Sequence, residues 1–460
     1  MMALKISVRN VLRNRRRSAM TTAAIALGTA AVLLLGALMT YIILDFQTST
    51  VRRTGHLAIF KQGYFQFGSG NPVAYGISGY TSVINQVLRD PELAPMVAVA
   101  TPMQTVFGIA GNSETNTSKT FMGQGIVPAD RLRMRRWNAY GLEVSTGTKP
   151  PLQADDGGII GLGLARMLGM CEELDVPDCP RRPDSSAASP QTPSEFDDLI
   201  RRESQAGNAE PSQKRRVDLL AATAQGAPNV VSLQVERAEF QGVKDLDDAY
   251  VIMQLPLAQR LLYGRGEPKV TGILLQLLHT DQIAPARARL SALFSQDKLD
   301  LEVRDFVELT PFYKQAVAFF AFIFTFVALV IGVIVLFTIL NTMSMAVMER
   351  TSEIGTSRAL GVQRSTVQAQ FVLEGTLLGI AGATFGVLLA GLIVVVINHS
   401  GVTWTPPVSA GAIPLQLYLF NNPPLVAGAW ISLVGIAAVA AVWPAYRAAR
   451  LPVVDALRHV

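Results

Sequence analysis

The segment from Met348 to Val362 holds the side chains best placed to act on another molecule. Glu349, Arg350, Glu353 and Arg358 stand there beside the small residues Gly355, Ala359 and Gly361, directly after a long apolar run that ends at Met348. Carboxylates and guanidiniums at helical spacing make ion pairs and charge-assisted hydrogen bonds, which suits docking into a groove on a protein partner more than bond-making. Arg350 and Glu353 are three apart and are expected to pair on a helix surface. Gly361 is placed to stop that helix, and Gly355 to admit a close backbone approach. The ordinary alternative is a solvated connecting loop.

Other candidate chemistry is sparse. Cys171 and Cys179 have seven residues between them; outside the cytosol they are expected to form a disulfide, the alternative being two free thiols. Phe319, Phe320, Phe322, Phe324 and Phe326 crowd one short apolar stretch, where they could line a groove for an acyl chain or simply face lipid and neighbouring helices. The four histidines, His56, His279, His399 and His459, are scattered, and their spacing does not suit zinc. There is no Gly-x-x-x-x-Gly-Lys-Ser/Thr and no Gly-Lys dipeptide at all, so the sequence predicts no phosphate-cradling loop and no cofactor held by this chain.

The elements that must hold these residues follow from hydropathy. Half of the residues are hydrophobic and 16% are charged, against about a quarter charged in soluble proteins. The deficit is uneven. No Asp, Glu, Lys or Arg occurs between Glu374 and Arg447, whereas Asp45 to Lys314 has ordinary charge density. Four apolar runs reach the roughly 20 residues a bilayer requires. They predict transmembrane helices over 18–44, 314–348, 374–398 and 425–446. The first run is longer than the ~7–15 apolar residues of a signal peptide and is read as a retained span. The prolines between 399 and 424 end helices there.

Lys and Arg mark the cytosolic flank of spans. Residues 1–17 carry Lys5, Arg9, Arg13, Arg15, Arg16 and Arg17 and no acid; the 349–373 loop and the 447–460 tail are also basic, and the 399–424 loop has neither residue. Both termini and the 349–373 loop are therefore expected in the cytosol, and residues 45–313 outside. The net charge of +5 is read as this membrane flank and not as a nucleic-acid surface. Leu4, Val8, Val11 and Leu12 on one face and Lys5, Arg9, Arg13 and Arg16 on another predict an amphipathic helix lying on anionic lipid. Small residues at helical spacing, Gly375, Gly379, Gly382, Gly386 and Ala390 in one span and Gly428, Ser432 and Gly435 in the next, predict close helix packing.

The outer segment alternates strand-like patches (57–60, 97–101, 158–160, 230–235, 249–254, 272–277) with helix-like stretches (82–89, 162–168, 257–262, 284–294), which predicts a mixed α+β domain. Residues 180–216 are too polar to bury much and are read as a mobile insert. The fold class expected is a polytopic α-helical membrane protein with four transmembrane helices and a large α+β extracytoplasmic domain between the first two.

The segment Glu349-Arg-Thr-Ser-Glu-Ile-Gly-Thr-Ser-Arg-Ala-Leu-Gly361 resembles the E-R-x-x-E-I-G-x-x-R-A-x-G signature of the FtsX-like, macrolide-exporter type of ABC permease. Asn341 and the closing Pro444-Ala-Tyr-Arg-Ala-Ala-Arg450 with Pro452 and Asp455–Arg458 resemble the same family, as does the order of one span, an outer domain and three spans. Within it, Gly55-His-Leu-Ala-Ile-Phe60 is similar to the lipoprotein-release branch. The resemblance implies that Glu349, Arg350, Glu353, Ile354, Gly355, Arg358, Ala359 and Gly361 couple the chain to a separate ATPase pair, which would bind the ATP and magnesium. It implies a second permease copy or paralogue, contact with membrane lipids, a periplasmic carrier or adaptor, no nucleic acid, and a place in the bacterial inner membrane. The expected work is mechanical: release of lipoprotein or another hydrophobic cargo, with drug or peptide efflux and actuation of a cell-wall hydrolase as alternatives.

Overall fold

The computed structural model describes residues 7, 9, 10, 13, 15–68, 70–142, 151–177, 179, 215–241, 244–404 and 413–452. Most of the expected amphipathic stretch before Arg13, the insert from 180 to 214 and the closing residues 453–460 lie outside them. The chain divides into a helical unit (residues 1–46, 312–404 and 413–460) and a β-rich unit (47–311 and 405–412).

The helical unit is built on α1 (Arg15–Thr54), α2 (Pro311–Glu349), α3 (Thr351–Ala359), α4 (Arg364–His399) and α5 (Pro423–Ala449). All but α3 are long and apolar enough to cross a membrane, so the chain is a polytopic membrane protein. At 40 and 39 residues, α1 and α2 are about 60 Å long, twice the ~30 Å hydrocarbon core. One core draws Ile25 from α1, Val335, Ile339 and Met343 from α2, Ile354 from α3, Phe371 and Leu378 from α4, and Leu433, Ala437 and Ala441 from α5.

The helices outrun the apolar runs at both ends. Where a short helix and then a loop are expected over 349–373, the helix α3 ends at Ala359 and α4 already begins at Arg364, because Val367 and Phe371, four apart, are buried in the helical core. The small residues of α4 serve two neighbours in turn. A Cβ at Gly379 would lie 2.5 Å from the side chain of Ala437 on α5, and one at Gly382 2.5 Å from Ile25 on α1. The second expected stripe finds nothing: Gly428 and Gly435 have no atom opposite them within 4 Å, and α5 packs instead through Ala429, Ala437, Ala441 and Ala445. In the turn-rich connection after α4, the Asn398 side chain brackets Leu417, accepting from its N–H (2.8 Å) and donating to its carbonyl (3.2 Å).

Among its described residues the β-rich unit contains nine strands: β1 (Leu57–Lys61), β2 (Val97–Asn112), β3 (Thr117–Ile126), β4 (Gly157–Gly161), β5 (Arg216–Ala222), β6 (Pro228–Glu239), β7 (Tyr250–Gln254), β8 (Gly272–Leu277) and β9 (Leu301–Asp305). Their order is β3-β7-β4-β6-β5-β2-β8-β1-β9, and β2 also pairs with β3. Six strands therefore close into a ring, while β8, β1 and β9 extend from the long strand β2. Only β3–β7 and β4–β6 are parallel among the pairs described.

Two cores result. Val106, Phe121, Leu219, Leu233 and Val251 fill the ring side, joined by Leu257 and Leu261 of the helix 255–263. Leu57, Ile59, Ile273 and Leu275 meet Val83, Val87, Leu290 and Phe294 of the helices 80–89 and 283–296. The period of two explains why β1 is buried throughout: Leu57 and Ile59 face those helices, and Ala58 and Phe60 face Tyr64, Met134 and Leu274.

The expected insert, 180–216, is one residue too long. Arg216 already opens β5, whose alternation of exposed and buried residues gives it one core face. The last turns of α1 belong to this unit, where Gln47, Thr48, Thr50 and Val51 are buried. The Gln47 amide donates to Thr280 Oγ1 (3.2 Å), and the Arg52 guanidinium to the Trp137 carbonyl (2.6 Å).

Candidate coupling site

The residues singled out between 349 and 361 are held by a break between two helices. Glu349 ends α2. Arg350, with φ −108° and ψ 18°, leaves helical geometry, and α3 starts at Thr351. Ile354 and Gly355 form the buried side of α3, with Ile354 in the core shared by all four long helices. The helix stops in a double hydrogen bond around Gly361: Gly361 N–H to the Arg358 carbonyl (3.1 Å) and Val362 N–H to the Ser357 carbonyl (3.1 Å). Gly361 has φ +91°, a left-handed conformation that a side chain would strain. Arg358 adds a bond to the Val362 carbonyl (3.0 Å), and Ala359 is exposed.

Arg350 and Glu353 do not pair with each other, contrary to their spacing. The Arg350 side chain turns inward, 8% exposed, and its Nη1 meets Glu374 Oε2 on α4 at 3.3 Å; Glu374 is itself 6% exposed. Arg350 Nη2 also reaches the Asn10 carbonyl at 3.4 Å. Glu353 points the other way. Both its oxygens accept from Arg13 Nη2, at 2.8 and 3.1 Å. Glu349 is paired with Arg17. The i to i+3 expectation fails because the helix breaks at Arg350 itself, so the two side chains leave from different elements.

Arg13, Arg17 and Glu374 are thus site residues that the reading of the sequence left out of this group. A signal for two of them exists: Arg13 and Arg17 are four apart, as are Glu349 and Glu353, and the charges are opposite. Glu374 is the last acid before the uncharged stretch, and an ionisable group at such a position needs a partner.

The five phenylalanines are not brought together. Phe319, Phe322 and Phe326 are exposed on the outer face of α2, with the rings of Phe322 and Phe326 stacked at 6.5 Å. Phe324 turns into the helical core beside Leu425, and Phe320 is half-buried with its ring 6.0 Å from Phe319. One groove lined by all five is not what the backbone makes, because residues 319 to 326 cover more than two helical turns and hence several faces. Cys171 and Cys179, in the β-rich unit, are joined by a disulfide with their Cα atoms 6.2 Å apart. Among the described residues no group of three or more His, Cys, Asp or Glu converges as a metal site.

Four membrane-length helices with a short charged helix between the second and third, among the described residues, define an integral-membrane architecture. Residues 322–453, which contain α3, match the family model for the FtsX-like permease C-terminal region. Over 138 residues, 30% of this chain and 19% of the relative, the sequence is 33% identical to the macrolide export ATP-binding/permease protein MacB of Sodalis glossinidius. It is 32% identical over 136 residues to the ABC transporter permease YtrF of Bacillus subtilis, 29% of this chain and 31% of that one. A longer match to MacB of Hyphomonas neptunium has 28% identity over 236 residues, 50% of this chain and 34% of the relative. These likenesses support an FtsX-like, macrolide-exporter type of permease family. The chain spans about a fifth to a third of the lengths of these relatives.

Proposed function

We propose that the chain is the membrane permease of an ABC transporter, driven by a separate ATPase that grips α3. The observation that carries this is α3 itself. It is a nine-residue helix directly after a membrane-length helix, with one side fixed in the helical core and the other open to solvent, inside the region that matches the family. A motor that moves α3 therefore moves α2 and α4 with it.

In this reading α3 and both termini lie in the cytosol of a bacterial cell and the β-rich unit lies in the periplasm. ATP-driven closure of the motor pair shifts α3 in each of two permease copies, and α1 and α2 pass the change on. Such a device needs two conformations that nucleotide biases. The cargo is hydrophobic. Export of a macrolide-like compound comes first, since relatives carry that printed activity together with an ATP-binding part. Release of a lipidated protein is the second reading, favoured by the exposed Phe319, Phe322 and Phe326 on α2.

The test is purification of the full chain from native membranes in mild detergent, followed by ATP turnover in nanodiscs with a macrolide or a lipopeptide added. An ABC ATPase is expected to copurify, with turnover raised by one of the two compounds. A chain that purifies without any ATP-hydrolysing partner overturns the proposal. A motor that copurifies but responds to neither compound, with a hydrolase in the complex, favours actuation over transport.

A further inference from the structure

The two acids of the α3 region already have partners within the chain. Arg13 meets Glu353 through both carboxylate oxygens, and Arg17 meets Glu349. Both pairs of residues are spaced by one helical turn, and the pairing runs antiparallel: 13 with 353, 17 with 349. Two rungs of this kind fix a rotation as well as a distance, which a single exposed pair does not. Two further contacts hold the same amino-terminal segment, Arg350 Nη2 to the Asn10 carbonyl (3.4 Å) and Ser7 Oγ to the Gln370 carbonyl on α4 (3.2 Å). The basic start of the chain is therefore divided. Arg9, Arg15 and Arg16 are exposed and free to meet lipid headgroups, while Arg13 and Arg17 spend their charge on α3.

We infer that Arg13 and Arg17 are positioning residues, and that Glu349 and Glu353 serve to set the angle of α3 and do not meet the motor. This deepens the function proposed above and rests on it. With the acids engaged, the large side chain that α3 offers to a partner is Leu360, just past its end and 87% exposed, with the small Ser352 and Ala359 also exposed along the helix. A motor groove then receives an apolar knob and small residues, and the ladder behind it keeps the helix from rolling when pushed.

The experiment has two arms, both on the full chain. In the first, Arg13→Cys with Glu353→Cys is treated in native membranes with a bismaleimide whose spacer matches the combined length of the two replaced side chains. Most of the chain is expected to crosslink internally; the absence of a crosslink overturns the ladder whatever the motor does. In the second, ATP turnover and copurification are measured for the complex formed with the ABC ATPase that copurifies with the wild-type chain. Arg17→Glu and Glu349→Arg are each expected to lower cargo-stimulated turnover about fivefold, the upper range for a partly exposed pair, while the ATPase still copurifies. The double exchange restores turnover to within about twofold. Leu360→Asp is expected to lose the ATPase. Loss of copurification in Glu349→Arg, with Arg17→Glu unaffected and no rescue by the exchange, would mean that the acids meet the motor and ends the inference. If no ATPase copurifies with the wild type, the transporter reading fails, and the crosslink still decides the ladder.

Discussion

In the helical unit the buried polar centre is a charged pair, Arg350 with Glu374; in the β-rich unit it is a neutral imidazole, His56. Each solves the same problem, a polar group removed from water. Arg350 and Glu374 neutralise each other at 3.3 Å. His56, fully buried, accepts from the Leu277 N–H at Nδ1 (2.9 Å) and faces Thr280 Oγ1 with Nε2 (3.3 Å). Because Nδ1 takes a backbone proton, Nε2 carries the ring hydrogen and the ring must stay uncharged. The Trp137 ring packs edge-on at 4.8 Å, and the Tyr140 hydroxyl lies 2.9 Å from Thr280 Oγ1. The lesson is that the two units answer to different insults. The first fails when one partner is removed, and the second when a proton is added.

The largest expected effect comes from breaking the charged pair on one side only. Arg350→Ala leaves Glu374 buried without its partner, and a loss of about 3–5 kcal/mol is expected. Arg350→Met with Glu374→Leu removes both charges and is expected to recover most of that loss. Thermal unfolding of the full chain in detergent checks both. A double variant as unstable as the single one would show that the charges matter for a reason other than mutual neutralisation.

The His56 centre responds to pH. Burial, with the nearby His279 adding to it, pushes the His56 pKa down from 6.5 to about 4. The folded state thus holds fewer protons than the unfolded one between these values. The stability of the neutral ring is intact above pH 6.5 and is lost as pH falls from 6.5 toward 4, a change of about 3 kcal/mol. Arg52, Arg53, Arg131, Asp281 and Glu308 are among the charged groups on the elements around it. Denaturation midpoints followed by Trp137 fluorescence at pH 7 and 4.5 are expected to fall for the wild type. The fall is smaller in His56→Gln, which isolates the imidazole from carboxylates that titrate in the same range.

A covalent brace is the third term. The Cys171–Cys179 bridge closes a short loop against the ring-side core, where Cys179 packs. Replacing both by serine is expected to cost about 2 kcal/mol through the freed unfolded chain. The shift is confined to the β-rich unit, so unfolding signals from the helical unit stay unchanged.

How far these centres were legible in the sequence follows from how local they are. The membrane helices announce themselves through composition alone, and six of the strands through short apolar patches. Strand β3, Thr117–Ile126, does not, because its first residues are polar and exposed and it is held by pairing along Gln104–Asn112 of β2. The same holds for β9, whose Glu302, Arg304 and Asp305 hide a strand fixed by register with β1. In the candidate coupling site, the residues of α3 could be named from their spacing. Their partners could not, since Glu374 lies 24 residues away and Arg13 340 residues away. His56 looked like one of four scattered histidines; only the fold puts Leu277 and Thr280 around it.

The smallest effect separates exposed charges from buried ones within a single unit. Arg13 and Glu353 are each 57% exposed. An ion pair open to water contributes less than about 1 kcal/mol and is screened by salt, whose Debye length falls from about 10 Å at 0.1 M to about 3 Å at 1 M. Glu353→Gln is therefore expected to lower the unfolding midpoint slightly at 0.1 M salt and not at all at 1 M. Glu374→Gln is expected to lower it by much the same large amount at both, because no salt ion reaches a carboxylate that is 6% exposed. If the Glu353 effect persisted at 1 M salt, the amino-terminal ladder would be a buried element like the Arg350–Glu374 pair. The split between a fixed inner charge pair and an adjustable outer one would then disappear. That split is what lets α3 be anchored through Arg350 and Ile354 and still be angled by the ladder on its other side.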